Sequence, residues 1–237
     1  MKFRLPALVI MVSIPFAFAA KIPNAQVVDS GSFGVYLRGQ RVATETFKIE
    51  QHASGSTVKS ELKAQDGATQ RSEMELTSRG DLVRYGWQEL QPTRAEVAVV
   101  PKDEFLSETI NMGTNQKTFT VPHLLSASTP ILDDNFFLHR EVLMWRYLAS
   151  ECESKPEGLR CSTAPQQFGV LIPAQHTSGT VTIGFKDQEK ISVKGKDVEC
   201  NAFAMKTDNG DWLIYLDDQQ KLVRIVAADV GLEVMRD

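Results

Sequence analysis

The chain is predicted to be mainly β with one long helix: a curved antiparallel sheet, a half-open barrel, wrapped around a central helix. Three observations predict this class. From Gly31 onward, short runs alternate apolar and polar residues between Gly, Asn and Asp turns, the period of strands with one wet and one dry face. One stretch breaks that rhythm, DDNFFLHREVLMWRYLA from Asp133 to Ala149. In it Phe137, Leu138, Glu141, Val142, Trp145, Leu148 and Ala149 recur at spacings of three and four. Strands precede and follow it without βαβ alternation, and no glycine-rich phosphate loop occurs, which argues against a doubly wound nucleotide-binding fold.

Phe136, Leu143, Met144 and Tyr147 widen the helix's apolar stripe almost all the way round, so cover is expected on more than one side. Asp133 or Asp134 is placed to cap its first amides, and Arg140 and Arg146 are expected to snorkel to water. The segment is too short and too charged to span a bilayer.

Residues 1–19 carry the pattern of a secretory signal peptide. Lys2 and Arg4 precede an apolar run from Leu5 to Phe18, and Ala17-Phe18-Ala19 supplies small residues for cleavage after Ala19. Residues 20–30 read as a linker and 31–237 as a single β-rich domain. Export, most simply to the periplasm, is implied. Without Lys2 and Arg4 the chain keeps 24 basic residues against 30 acidic, about −6 near neutral pH. With no basic block, nucleic acid is not an expected partner. Cys152 and Cys161 bracket CESKPEGLRC directly after the helix; an exported protein can keep that pair as a disulfide. No His or second Cys pair follows at ligand spacing, so a metal site is the weaker reading. Cys200, in VECNAFAM, reads as a buried small hydrophobe.

In order, the first hairpin spans residues 31–52, turning at Gly39-Gln40, with a phase slip that a bulge would repair. TVKSELKAQ, TQRSEMELTSR and DLVRYGWQELQP follow as strands. Val58, Ser60, Leu62 and Ala64 face one way; Met74 and Leu76 share a face opposite Arg71, Glu73 and Glu75. Arg79-Gly80-Asp81 is read as a turn rather than an adhesion motif. Strands over 94–101, 105–110 and 117–121 lead to the helix, with a turn at 111–115. Beyond Cys161, residues 166–173 form a strand. Thr180–Phe185 is expected to pair with Lys190–Lys194 through Asp187-Gln188-Glu189. Val198–Lys206 then pairs with DWLIYL across a turn at 207–210. KLVRIVAA and a last edge strand, VGLEVMRD, complete a meander that continues the same sheet.

Catalytic signatures are scarce. His52, His123, His139 and His176 form no ligand motif, no G-x-S-x-G elbow occurs, and the carboxylate pairs Asp133-Asp134 and Asp217-Asp218 read as cap and turn residues. No cofactor is implied. Trp87, Trp145 and Trp212, with Phe137, Val142 and Leu148, are the residues expected to line an aromatic and aliphatic pocket between sheet and helix.

The opening phrase GSFGVYLRGQRVATETFKIE (residues 31–50) and the closing phrase DWLIYLDDQQKLVRIVAA (211–228) resemble a group of bacterial exported proteins of uncharacterised function. The resemblance implies the half-closed antiparallel barrel of outer-membrane lipoprotein carriers, whose concave apolar side holds lipid. It assigns no catalytic residue, and the Cys152–Cys161 loop departs from it. The expected functions are an exported carrier or sensor of a lipid-like ligand, or an envelope structural module that recruits a partner protein through a sheet edge. An enzyme has the least support.

Overall fold

A two-residue hairpin needs positive φ at both central residues. Arg38 (φ 50°) and Gly39 (φ 80°) supply it, joining β1 (Gln26–Leu37) to β2 (Gln40–His52). The turn therefore lies one residue earlier than the sequence suggests. The expected slip is present: Val35 pairs with Ala43 and Tyr36 with Arg41, so Val42 is the extra residue. The structure is a computed structural model and describes residues 25–237 other than 93, 114–116, 157 and 209. The expected signal peptide lies outside the described residues. Residues 26–30, expected to be linker, belong to β1 and pair with β2.

The chain continues through β3 (Gly55–Ala64), β4 (Thr69–Thr77), β5 (Leu82–Gln91), β6 (Glu96–Lys102), β7 (Phe105–Asn111) and β8 (Thr118–His123), then α1 (Leu138–Glu151). A small hairpin follows, β9 (Cys152–Lys155) and β10 (Gly158–Cys161). The last strands are β11 (Gln166–Ile172), β12 (Thr177–Val193), β13 (Lys196–Thr207), β14 (Gly210–Leu216), β15 (Leu222–Ala227) and β16 (Leu232–Arg236). The alternation read from the sequence holds: Val58, Ser60 and Met74 face the core, while Lys59, Arg71 and Glu73 face out.

Among the described residues, fourteen strands form one antiparallel sheet that strand pairing does not close, in the order β11-β12-β13-β14-β15-β16-β1-β2-β3-β4-β5-β6-β7-β8. The two halves meet at the chain's ends, where Phe33 pairs with Arg236 and Leu37 with Leu232. This corrects the placing of VGLEVMRD at an edge: β16 is interior, and β8 and β11 are the edges. A second correction concerns residues 180–194. They do not fold back on themselves; β12 runs unbroken, pairing with β11 and β13 and absorbing the phase change between Phe185 and Asp187. Asp187-Gln188-Glu189 lacks the Gly or Asn that a tight turn favours. Of the expected turn at 207–210, Asn209 lies outside the described residues, though Thr207 pairs with Gly210.

The main core joins the inward side chains of this sheet to Leu138, Leu143, Met144, Tyr147 and Leu148 of α1. A smaller cluster of Ile191, Val193, Cys200, Ala202, Tyr215 and Val223 lies on the opposite face of β13 from Phe203 and Met205. Burial raises the Cys200 thiol pKa to about 11, which makes it a packing residue rather than a nucleophile.

Leu138, His139, Arg140 and Glu141 are all buried. Successive helical residues point about 100° apart, so four in a row leave no side of the first turn facing water. The helix starts later than Asp133, and neither Asp133 nor Asp134 caps it. Arg140 does not snorkel; it is 1% exposed. Arg146 donates to the carbonyl of Ser128. At the far end, Cys152 and Cys161 face each other across the β9–β10 ladder and are bridged.

Closing a loop this short stabilises by about 2.5 kcal/mol in the chain-entropy description. The double variant Cys152→Ser/Cys161→Ser should lose roughly that much in urea unfolding. Thiol counting on denatured, unreduced wild type should find Cys200 alone; three free thiols would refute the bridge.

Candidate functional site

The inward phase of β2 is set by Ala43, Phe47 and Ile49, all buried. A strand has period two, so the same phase carries Glu45 into the core. There its carboxylate accepts hydrogen bonds from the amides of Phe137 (2.8 Å) and Leu138 (3.3 Å) and from the Ser60 hydroxyl (2.5 Å). These amides open the helix and have no partner within it, and the helix dipole favours negative charge at that end. Burial nevertheless raises the Glu45 pKa to about 7, against the pull of those donors and of Arg140.

Three further buried polar groups follow, two of them touching the same turn. Tyr85 donates to Asp133 (2.6 Å), whose other oxygen accepts from the amide of Asn135. Burial raises both the tyrosine and the aspartate. His139 lies beside them, its pKa lowered to about 3 by burial and then by Arg140. On the opposite side, Asp29 is held by Arg236 (3.2 Å) and Lys221 (3.5 Å). Burial alone would raise Asp29, but the hydrogen bonds of Arg236 and Glu141 bring it below the usual range. Glu141 is pushed to about 9 by burial and by Asp29, so at neutral pH it keeps its proton. The third group lies at the sheet edges. Buried Glu108 of β7 accepts from His123 of β8 and from His176, just beyond β11, both at 2.8 Å. Pro130 and Leu132 also hydrogen-bond to Leu171 of β11.

One of these arrangements brings a serine beside a histidine, though not as a nucleophile and its base. Ser72 and His139 approach to 3.4 Å, with Asp133 close by. The Nδ1 of His139, however, accepts the amide of Asp133 (3.2 Å). The ring proton of the neutral imidazole therefore sits on Nε2, which must donate to Ser72 and cannot take its proton. The Asp133 carboxylate meanwhile binds Tyr85, not the histidine. At Glu108 each imidazole takes a different carboxylate oxygen. Among the described residues no group of three His, Cys, Asp or Glu is disposed to hold a metal ion.

Five of the six residues predicted to line one pocket divide among three hollows. Val142 and Trp145 border a cavity of about 310 Å³ between α1 and β3–β5, with Met74, Leu76 and Leu82 opposite. Phe137 and Trp212 border another, about 370 Å³, beside the ends of β11–β13. Trp87 lies at a trough of about 950 Å³ on the sheet, among Lys59, Arg71, Glu73 and Arg84. Leu148 lines none of these and packs in the core. Trp145 is anchored by its indole N–H, which donates to the carbonyl of Gln220 at 2.6 Å.

No family model matches the chain, and neither curated proteins nor solved structures yield a match. No helix among the described residues is long and apolar enough to cross a membrane.

The sequence reading missed Glu45, Glu108, Asp29 and Arg140 as interior groups. The one available signal was phase: Glu45 shares the parity of Phe47 and Ile49.

The buried groups set opposing pH responses. Glu45 and Glu141 have raised folded pKa values, so their contribution is present below about 4.5 and is lost as pH rises toward about 7 and 9 respectively. His139 is depressed, so its contribution is present above 6.5 and is lost as pH falls toward about 3. The Glu141→Gln variant should therefore show a flatter fall in urea stability between pH 6 and 9 than wild type. An unchanged slope would mean that Glu141 is ionised in the folded protein.

Proposed function

We propose that this protein binds a small hydrophobic, lipid-like molecule as an exported carrier or sensor of the cell envelope, the guest lying between helix and sheet. The observation that carries the reading is the cavity bordered by Val142 and Trp145 on the helix and by Met74, Leu76 and Leu82 on the strands. At about 310 Å³ it matches the lower end of small-molecule sites, enough for one short alkyl chain or an aromatic ring system. Apart from Ser56, the flanking Thr77–Gly80 turn, Thr129 and Arg146, its walls are aliphatic or aromatic, so selection would rest on shape and apolar area. In this reading the sheet is a half-open barrel curving around the helix, whose first turn is buried on every side. The Cys152–Cys161 bridge is compatible with an oxidising compartment such as the periplasm.

A second reading, an envelope interaction module, is favoured by β8. That edge strand exposes Phe119, and Leu124 beyond it is almost wholly exposed. Such an edge can accept a partner strand.

An uncharged fluorescent probe, phenylnaphthylamine, decides between them. Carriage predicts saturable fluorescence enhancement by wild type with one site. Val142→Phe or Leu76→Phe, which fill the cavity, should weaken it at least tenfold with the thermal midpoint retained. Lys59→Ala at the trough should change nothing. No enhancement, or equal enhancement by both filled variants, would leave the interaction module standing.

A further inference from the structure

The cavity beside Val142 and Trp145 changes character along its length. Met74, Leu82, Ile131 and Leu143 on its border are at most 3% exposed. Ser78, Arg79 and Ala149, also on the border, are exposed. One end therefore lies in the core, and the other opens to water where the β4–β5 turn and the last turn of α1 contribute to the border.

Two arginines border the cavity. Arg146 follows Val142 by four residues and precedes Ala149 by three, so it shares the helix face that borders the cavity. One of its terminal nitrogens donates to the Ser128 carbonyl (2.5 Å), next to Thr129 and Pro130 of the cavity wall. Among the described residues its Nε and other terminal nitrogen have no acceptor and no carboxylate pairs with it; neither nitrogen is closed off from water. The Arg79 side chain, at the tip of the β4–β5 turn, is 87% exposed, and its guanidinium meets only Asp81, at 3.7 Å, beyond hydrogen-bond length. No Asp or Glu borders this cavity, although the chain carries 30 acidic residues against 26 basic. The other two hollows mix both signs.

Two features oppose an anion here. One is Asp81, which Arg79 offsets. The other is the carbonyl end of the helix, equivalent to roughly half a negative charge, which a guanidinium with free donors outweighs. We infer that the guest of this cavity is a single-chain anionic amphiphile. Its alkyl chain lies inward along Met74, Leu82 and Leu143. Its head, an anionic oxygen group such as a carboxylate, takes the free N–H groups of Arg146, and Arg79 adds positive charge at the rim. The inference rests on the carrier reading of the same cavity and adds the charge of the guest to it.

The test uses the full protein at neutral pH. Octanoate, octanol and octylamine compete against bound phenylnaphthylamine, and calorimetry repeats each titration without the probe. In a purely apolar cavity octanol would win, because a carboxylate costs more to take from water than a hydroxyl. Octanoate should instead bind about fivefold tighter than octanol, with octylamine weakest, and the margin should shrink as salt is raised. Arg146→Gln should place octanol ahead of octanoate while the phenylnaphthylamine affinity and thermal midpoint are kept; Arg146→Lys should preserve the wild-type order. Should Arg146→Gln not fold, the wild-type ranking and Arg79→Gln, which should narrow the margin about twofold, decide. Octanol or octylamine matching octanoate on wild type, or an unchanged preference in Arg146→Gln, overturns the anionic guest and leaves the carrier reading intact if phenylnaphthylamine still binds. No binding of any of the four, by fluorescence or calorimetry, removes both.

Discussion

A single carboxylate from the second strand fixes where the helix begins. Glu45 takes the amides of Phe137 and Leu138, which no side chain next to the helix reaches. The contact spans 92 residues of sequence, so it ties the first half of the sheet directly to the element that divides the chain. Once the helix start is fixed, the directions of the next residues follow from helical geometry. His139 meets Ser72, Arg140 lies over Trp212, and Glu141 reaches the Asp29–Arg236 pair where the first and last strands join.

This arrangement is expensive. Each ion taken from water loses several kcal/mol of solvation, and a buried pair seldom recovers more than that loss. The raised carboxylates and the depressed histidine around the helix register the same opposition. The network is therefore a poor account of stability. It is a better account of uniqueness: a purely apolar helix could rotate or slide among Leu, Met and Phe contacts of similar value, whereas Glu45 is satisfied by only one placement.

The strands, most of the turns, the helix and the disulfide were legible because period, turn residues and cysteine spacing are local signals. The facing of Val58, Ser60, Met74 and Leu76 followed from alternation alone. What was not legible depended on pairing between distant segments. VGLEVMRD, residues 230–237, reads as a last edge strand, yet its strand Leu232–Arg236 lies inside the sheet because β1 offers it a partner. Asp133 and Asp134 look like caps because of their position, but Glu45 occupies the amides. His123 and His176, 53 positions apart, gave no motif; their common partner Glu108 links the flanks of the two edge strands. The six residues expected to share one pocket are apolar or aromatic as a pocket requires, but sequence does not say which side of a helix each strand will meet.

The division of those residues follows from how the helix is held. Its first turn is held by directional bonds as well as packing: Glu45 takes the amides of Phe137 and Leu138, and His139, Arg140 and Glu141 each have polar partners. Its second half rests mainly on packing: Leu143, Met144 and Leu148 are in the core, with polar ties that include the Trp145, Arg146 and Tyr147 hydrogen bonds. Beyond it the chain enters the bridged hairpin, so the helix end is tethered even though its last residues reach solvent. Non-directional contacts can yield to a guest without leaving a polar group unpaired, while the pinned turn cannot move without exposing several. The cavity beside Val142 and Trp145 thus lies where packing does most of the holding, and the hollow beside Phe137 lies where the helix start is fixed by hydrogen bonds.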